Sequence, residues 1–483
     1  MSYSLSPLIA LLAAAAAALL FSAFRRRRLT FAEPAIALAG LAASVAFAWI
    51  IWPEAGTAAW GSLVLDRMAL AGVMVISTTV AMAVLISPAY LEAHGEQRPG
   101  FYGLILLASF GMAALAAAGD LISILIAMES MSIALYALSG FLRDRPQSVE
   151  GAIKFFIMSA FATAFYCMGL AFIFGSLGST DLAVIAERFE YVLSGEARGI
   201  FLFGLAMVSV GLVLKVAAFP FHAWAPDALD GSPTPVSLII ATSAKAAAVI
   251  AFFRLAAAIA APGGVLWHHL AWGIAAATML WGSLAALKQG SMKRMLAYIS
   301  IAHAGFMLMT LPSLAAAHAP LARALLLYII AYSLSMAGAF AAVVALGLRP
   351  GEPLDMRHLC GLPGRRPWVA AALTLFLLSL AGMPPTLGFF GRYYLVMTVV
   401  RAGDVGLAVV AAVATVICFA CCARPIVAMY FREEGGRLRL EAPRGRVAYF
   451  SALVAVMVLA ALAVGIFGLF PQDLLAFVTA SAI

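Results

Sequence analysis

Leu121-Ile-Ser-Ile-Leu-Ile-Ala-Met-Glu129-Ser-Met-Ser-Ile-Ala-Leu-Tyr-Ala-Leu-Ser-Gly-Phe-Leu142 carries a single ionisable side chain near the middle of an otherwise apolar or small-residue stretch. As a helix, twenty-two residues reach about 33 Å, enough to cross the hydrocarbon layer of a bilayer. Hydrocarbon offers the backbone no outside partner, so the stretch predicts a transmembrane helix that satisfies its own hydrogen bonds. A charge at the bilayer centre costs about 3 kcal/mol on insertion scales and persists where it lines a polar path or meets a partner.

The same pattern runs through the chain. Its 483 residues are 65% hydrophobic and 11% charged, with a mean hydropathy of +1.04, against roughly half apolar in soluble domains. At about 20 residues per span, the length predicts an all-α polytopic membrane protein of about fourteen transmembrane helices, with no room for an extramembrane catalytic domain. The net charge of +8 sits in short clusters between apolar runs, where it sets topology and argues against nucleic-acid binding. The first span, 6–24, precedes Arg25-Arg26-Arg27-Arg28; a signal peptide has the opposite order of charge and apolar run. With strict alternation, roughly nineteen Lys and Arg fall on the Arg25 side against roughly six on the other. This predicts a multi-pass membrane protein with both termini facing the periplasm or its equivalent.

Two spans are interrupted. In Lys215-Val-Ala-Ala-Phe-Pro220-Phe-His222 a proline removes a backbone donor and obstructs the preceding turn. In Leu380-Ala-Gly382-Met-Pro384-Pro385-Thr386-Leu-Gly388 two prolines and two glycines do so more severely. The breaks recur in two sets of five spans, and an odd number of helices per set starts the second on the opposite side of the membrane. This predicts inverted repeats, each with a broken helix. The expected division is 1–97, three N-terminal helices; 98–262, the first repeat; 263–431, the second; and 432–483, a loop and a last helix.

Five ionisable residues, Glu129, Lys154, Lys215, Lys245 and Arg392, lie inside these spans. A carboxylate near a buried amine makes a switchable ion pair, because each partner's proton affinity depends on the other; it also makes a permanent pair that holds helices together. Lys215 and Lys245 are candidates to load and release protons, with snorkelling to a headgroup as the alternative, strongest for Lys154 near its helix start. His222 and His303 suit proton relay, or else cap the broken helix and fill the core. Cys418, Cys421 and Cys422 lack the further ligands of a metal site. Neither a P-loop nor a dinucleotide fingerprint occurs, so the chain is expected to bind no cofactor of its own.

Ala127-Met-Glu129-Ser, Gly151-Ala-Ile-Lys154-Phe-Phe, Lys215-Val-Ala-Ala-Phe-Pro-Phe-His222-Ala-Trp-Ala-Pro-Asp227, Gly231-Ser-Pro-Thr-Pro-Val236, Lys293-Arg294-Met-Leu-Ala-Tyr298-Ile-Ser-Ile-Ala-His303 and Ser379-Leu-Ala-Gly-Met-Pro-Pro-Thr-Leu-Gly-Phe-Phe-Gly-Arg392 together resemble the antiporter-like membrane subunits, and most closely subunit N of bacterial proton-pumping NADH-quinone oxidoreductase, respiratory complex I. The family also includes the large subunits of Mrp-type cation/proton antiporters. The chain stops soon after its last span, whereas subunit L of the same complex continues into a long lateral helix.

The resemblance implies proton translocation driven by redox chemistry elsewhere. Glu129 would pair with Lys215, Lys245 would pass the proton on, Lys154 would adjust the path electrostatically, and His222 and His303 would assist. NADH, FMN, iron–sulfur clusters and quinone would belong to other subunits, and the partners would be other membrane-arm subunits and the lipid bilayer. Arg392 stands where the family usually has lysine, and a guanidinium does not give up its proton in proteins; either Arg392 serves as a fixed charge, or exit toward the outside uses water and another group, or this paralogue pumps less well. The remaining alternatives are an Mrp-type antiporter subunit and a structural membrane-arm subunit that conducts nothing.

Overall fold

In the computed structural model the described residues are 5–24, 31–55, 59–60, 62–95, 99–346, 354–432 and 447–481. The Arg25–Arg28 cluster and residues 433–446 of the Arg432–Arg446 loop lie outside them. The chain is almost wholly helical. Its helices are α1 (Ser6–Phe24), α2 (Ala32–Ile50), α3 (Arg67–Ala93), α4 (Phe101–Ala116), α5 (Leu121–Ser139), α6 (Pro146–Leu177), α7 (Leu182–Ser194), α8 (Arg198–Val216) and α9 (Trp224–Gly231). They continue as α10 (Thr234–Ile259), α11 (Trp267–Leu287), α12 (Met292–Leu308), α13 (Leu314–Ala345), α14 (Pro367–Ala381), α15 (Leu387–Arg401), α16 (Val405–Phe431), α17 (Val447–Leu469) and α18 (Gln472–Ser481). Among the described residues, 11 helices are long and apolar enough to cross a membrane, and α4 and α14 are shorter apolar helices.

α10 and α11 are two spans, Thr234–Ile259 and Trp267–Leu287. The Phe252 and Trp267 ring centroids are 6.3 Å apart, where fifteen residues of straight helix would separate them by about 22 Å. The two are therefore separate spans, and α10, walled in on all sides, occupies the centre with α3 and α13. Helices α1, α2 and α6 form the rim, and α6 turns Phe156, Phe161 and Phe174 outward. Because lipid is as apolar as the side chains, helices in a membrane associate through close packing of small residues. At the crossing of α6 and α8, a Cβ on Gly169 would meet the Gly204 carbonyl oxygen at 2.5 Å and the Val208 amide nitrogen at 2.7 Å.

Both predicted breaks are present, and both end their first half-helix in the same way. In α8 the Ala218 amide donates to the Val213 carbonyl (3.0 Å) and the Ala217 amide to Leu214 (3.1 Å). In α14 the Met383 amide donates to Leu378 (3.0 Å) and the Gly382 amide to Ser379 (3.0 Å). Each is a Schellman closure, which needs a left-handed residue just past the helix. Gly382 supplies it at φ 78°, while Ala217 adopts φ 62° despite its Cβ, a conformation that costs an L-residue about 1 kcal/mol. The chain then resumes as α9 after the first break and α15 after the second.

Two features lay beyond the sequence reading. Ile240–Ala244, just before Lys245, forms a π-turn inside α10; such bulges widen the helix and release a carbonyl. Helices α7 and α18 are short additional elements, and α7 begins where the Asp181 carboxylate accepts from the Ala183 amide at 2.8 Å.

Candidate functional site

Glu129 projects from the middle of α5 toward α6 and α8. Its Oε1 accepts from the Thr163 hydroxyl at 2.5 Å and from Lys215 Nζ at 3.3 Å. The Lys215 side chain is 2% exposed and the Glu129 side chain 29%, so the carboxylate lies at the rim of the bundle and the amine inside it. Lys215 Nζ also donates to Ser132 Oγ (2.8 Å) and the Tyr136 hydroxyl (3.4 Å). The ammonium therefore holds three oxygens from one face of α5, and its own helix ends one residue later, at Val216. That break is fastened by Trp224 Nε1 donating to the Leu214 carbonyl (3.1 Å) and by the Phe219 amide donating to Thr278 Oγ1 (3.0 Å).

Lys154 belongs to a second, more exposed cluster. Its Nζ lies 2.5 Å from Glu150 and 2.7 Å from Asp227, and Arg294 reaches the other Asp227 oxygen at 2.9 Å. The cluster is joined to the Lys215 pair through packed rings: Phe155 stacks on Trp224 at 4.5 Å and meets Tyr136 edge-on at 4.9 Å.

Lys245 follows the π-turn and is 4% exposed. Among the described residues it meets no carboxylate; its Nζ donates to the Ser300 carbonyl (2.7 Å) and hydroxyl (2.6 Å) on α12. The π-turn itself is held from both sides. Tyr332 donates its hydroxyl to the Ala241 carbonyl at 2.7 Å, and the Ser243 and Thr79 hydroxyls are 2.6 Å apart. One turn beyond Ser300, His303 Nδ1 lies 2.7 Å from the Tyr328 hydroxyl, and its ring packs 4.8 Å from that of Tyr332. His222 is elsewhere, beside Phe219 (5.7 Å) and Trp281 (5.8 Å), and among the described residues no hydrogen bond joins it to Lys215 or Lys245.

Arg392 is 5% exposed and reaches back from α15 to the end of α14, where its NH1 donates to the Ala381 carbonyl (2.7 Å) and NH2 to Leu380 (2.8 Å). Its guanidinium lies 4.5 Å above the Phe306 ring. A cation bonded to the last carbonyls of a helix satisfies acceptors that have no intrahelical donor and complements the helix dipole. Cys418, from α16, points its thiol at the same Leu380 carbonyl (3.8 Å). Among the described residues no three His, Cys, Asp or Glu gather as metal ligands.

Sequence reasoning passed over several groups that the fold brings into contact with the candidates. Ser132, Thr163, Ser300, Tyr328 and Tyr332 are hydroxyls on other helices, and nothing local marks them. Lys293 donates to the Asp230 and Ser232 carbonyls (2.8 Å each) and ties α12 to the end of α9. Arg254 did carry a signal, a cation inside the apolar run Phe252-Phe253-Arg254-Leu255. Its NH2 meets Asp66 at 2.5 Å and its Nε donates to the Ala116 carbonyl at 3.1 Å.

Residues 118–418 match the family described as NADH:quinone oxidoreductase/Mrp antiporter, transmembrane. A protein of Sorangium cellulosum named NADH-quinone oxidoreductase subunit N 1 is 38% identical over 84% of this chain and 81% of its own length. A chain of respiratory complex I from Thermus thermophilus superposes with a TM-score of 0.79 at 31% identity, over 98% of this chain and 99% of that one. A chain of the Mrp complex from a Dietzia species shares the fold, with a TM-score of 0.81 at 22% identity over 99% and 96%.

Proposed function

We propose a proton path through a chain that belongs to the NADH:quinone oxidoreductase/Mrp antiporter transmembrane family and, within it, stands with the subunits N of NADH-quinone oxidoreductase. As such it is a membrane-arm subunit of a proton-translocating enzyme, with other membrane-arm subunits as its partners. NADH, FMN, iron–sulfur clusters and quinone are handled in other subunits of the complex.

The observation that carries the path is the Glu129–Lys215 pair beside a broken helix. A carboxylate and an ammonium 3.3 Å apart, with Thr163, Ser132 and Tyr136 ready to hydrogen-bond either one, form a pair that a proton or a shift of the break can open. When the pair opens, Lys215 loses its counter-charge and its proton becomes easier to pass on. Lys245 receives it near the centre, where Ser300 alone supports the charged form and so does not trap it. His303 follows on the same face of α12. Lys154, held by Glu150 and Asp227, acts from the side as an electrostatic modulator, and His222 assists from beside the first break. Arg392 contributes a charge that never leaves.

The fourteen-helix count fits this reading: the 11 long spans, α4, α12 and the broken pair α14 and α15 together make fourteen crossings. The matching Schellman closures support inverted repeats over 98–262 and 263–431, flanked by 1–97 and 432–483. Superposing the left-handed residues Ala217 and Gly382 puts Lys215 opposite Leu380, so one break carries the titrating amine and the other does not. Both termini then lie on the periplasmic side of the inner membrane.

Lys215→Ala and Glu129→Ala in the intact complex, reconstituted in vesicles, test the path. The complex is expected to assemble while coupled NADH oxidation falls about a hundredfold or more, the scale of losing a positioned acid or base. Normal pumping after either change sinks the path and leaves the structural-subunit reading.

A further inference from the structure

Between Lys245 and the far end of the path, the side chain at the family's usual lysine position cannot release a proton, and both of its terminal nitrogens are bonded to the carbonyls that close α14. Beside it stands a phenol. Tyr328, on α13, is 2% exposed; its hydroxyl lies 2.7 Å from His303 Nδ1 and faces the Arg392 guanidinium. The other nitrogen of that imidazole, Nε2, is buried and makes no hydrogen bond among the described residues, with the Cys418 thiol beside the ring. Ser300, which holds Lys245, is one turn away from His303 on the same helix.

We propose that the Tyr328 hydroxyl is the proton relay that follows His303, and that Arg392 serves as the cap of α14 and as a fixed charge beside the relay. The proposal rests on the proton path set out above. In one passage a proton enters His303 at Nε2, the Nδ1 proton crosses to the phenol oxygen, and the phenol's own proton leaves to a water molecule on the Arg392 side. No electron moves, and the phenol ends with the number of protons it started with. The imidazole then holds its proton on Nε2 and regains its starting tautomer through a water molecule that accepts the Nε2 proton and donates one to Nδ1. A neighbouring guanidinium disfavours a proton resting at this point, so the phenol passes the proton on and does not store it.

A second tyrosine supplies the control. Tyr166, on α6, is as completely buried, but it donates its hydroxyl to the Leu121 carbonyl at 3.0 Å, away from the path. Tyr328→Phe and Tyr166→Phe each remove one buried oxygen, and only the first breaks the contact to a His303 nitrogen. In vesicles carrying the intact complex, Tyr328→Phe is expected to lower the protons delivered per NADH oxidised to the level of Lys215→Ala, while Tyr166→Phe stays at the wild-type level. Wild-type delivery by Tyr328→Phe beside an impaired Lys215→Ala overturns the relay and leaves the path standing. Wild-type delivery by Lys215→Ala overturns both, and equal losses in the two tyrosine variants assign the effect to packing and overturn the relay.

Should Tyr328→Phe fail to assemble, 3,5-difluorotyrosine at position 328 keeps the ring and the oxygen but releases its proton more readily. A pumping pH profile displaced from wild type supports the relay, and an identical profile overturns it.

Discussion

Arg392→Met is the perturbation that separates a cap from a proton carrier. The arginine gives two charged hydrogen bonds, 2.7 Å to Ala381 and 2.8 Å to Leu380, in a fully buried setting. A hydrogen bond from a charged group contributes about 1.5 to 3 kcal/mol, so losing both weakens the closure of α14 by about 3 to 6 kcal/mol. At 1.4 kcal/mol per tenfold, that is about two to four orders of magnitude in local opening, which native-state hydrogen exchange reads directly. The sensitive amides are those of Gly382, Met383 and Thr386, whose acceptors are Ser379, Leu378 and Met383. Arg392→Lys keeps the charge but not the planar fork, and one ammonium in place of two parallel donors is expected to recover about half the lost protection. Exchange at these amides unchanged in Arg392→Met would refute the cap.

Arg254→Met takes the counter-charge from the Asp66 carboxylate and leaves it the Ala69 amide; breaking a buried pair costs about 3 to 5 kcal/mol, seen as a lower thermal midpoint of the isolated complex, and Asp66→Asn added to it restores most of the loss. Gly169→Leu drives a side chain into the Gly204 carbonyl and the Val208 amide, beyond the roughly 1 to 3 kcal/mol of ordinary overpacking because backbone cannot yield, and purified complex is expected to contain less of this subunit. Ser300→Ala takes one of two acceptors from Lys245 and leaves the 2.7 Å carbonyl, so pumping is expected to fall by no more than about threefold; a loss as large as that of Lys215→Ala would assign Ser300 a role beyond holding the amine.

The spans and both breaks were legible in the sequence because hydrocarbon imposes one rule on every segment: about 20 apolar residues, with proline and glycine where the helix stops. Glu129 and Lys215 were legible for the same reason, since a lone charge stands out in an apolar run. Their oxygen partners were not. Ser132, Thr163 and Ser300 look like any other small residue until the helices are packed, and Tyr328 and Tyr332 look like core aromatics until their hydroxyls find Nδ1 of His303 and the Ala241 carbonyl. The π-turn at Ile240–Ala244 has no sequence mark because it is imposed by neighbours, Thr79 on one side and Tyr332 on the other. Arg392 stood apart in the sequence by its chemistry, but its attachment to α14 depends on α15 folding back over the break.

The account stands on the claim that protons cross through this chain, and in the proposed path every one of them passes Lys245. Protons delivered per NADH oxidised, measured in vesicles with assembled complex carrying Lys245→Met, are expected to fall below the wild-type value while the subunit remains in place. A wild-type ratio in that variant would contradict the claim.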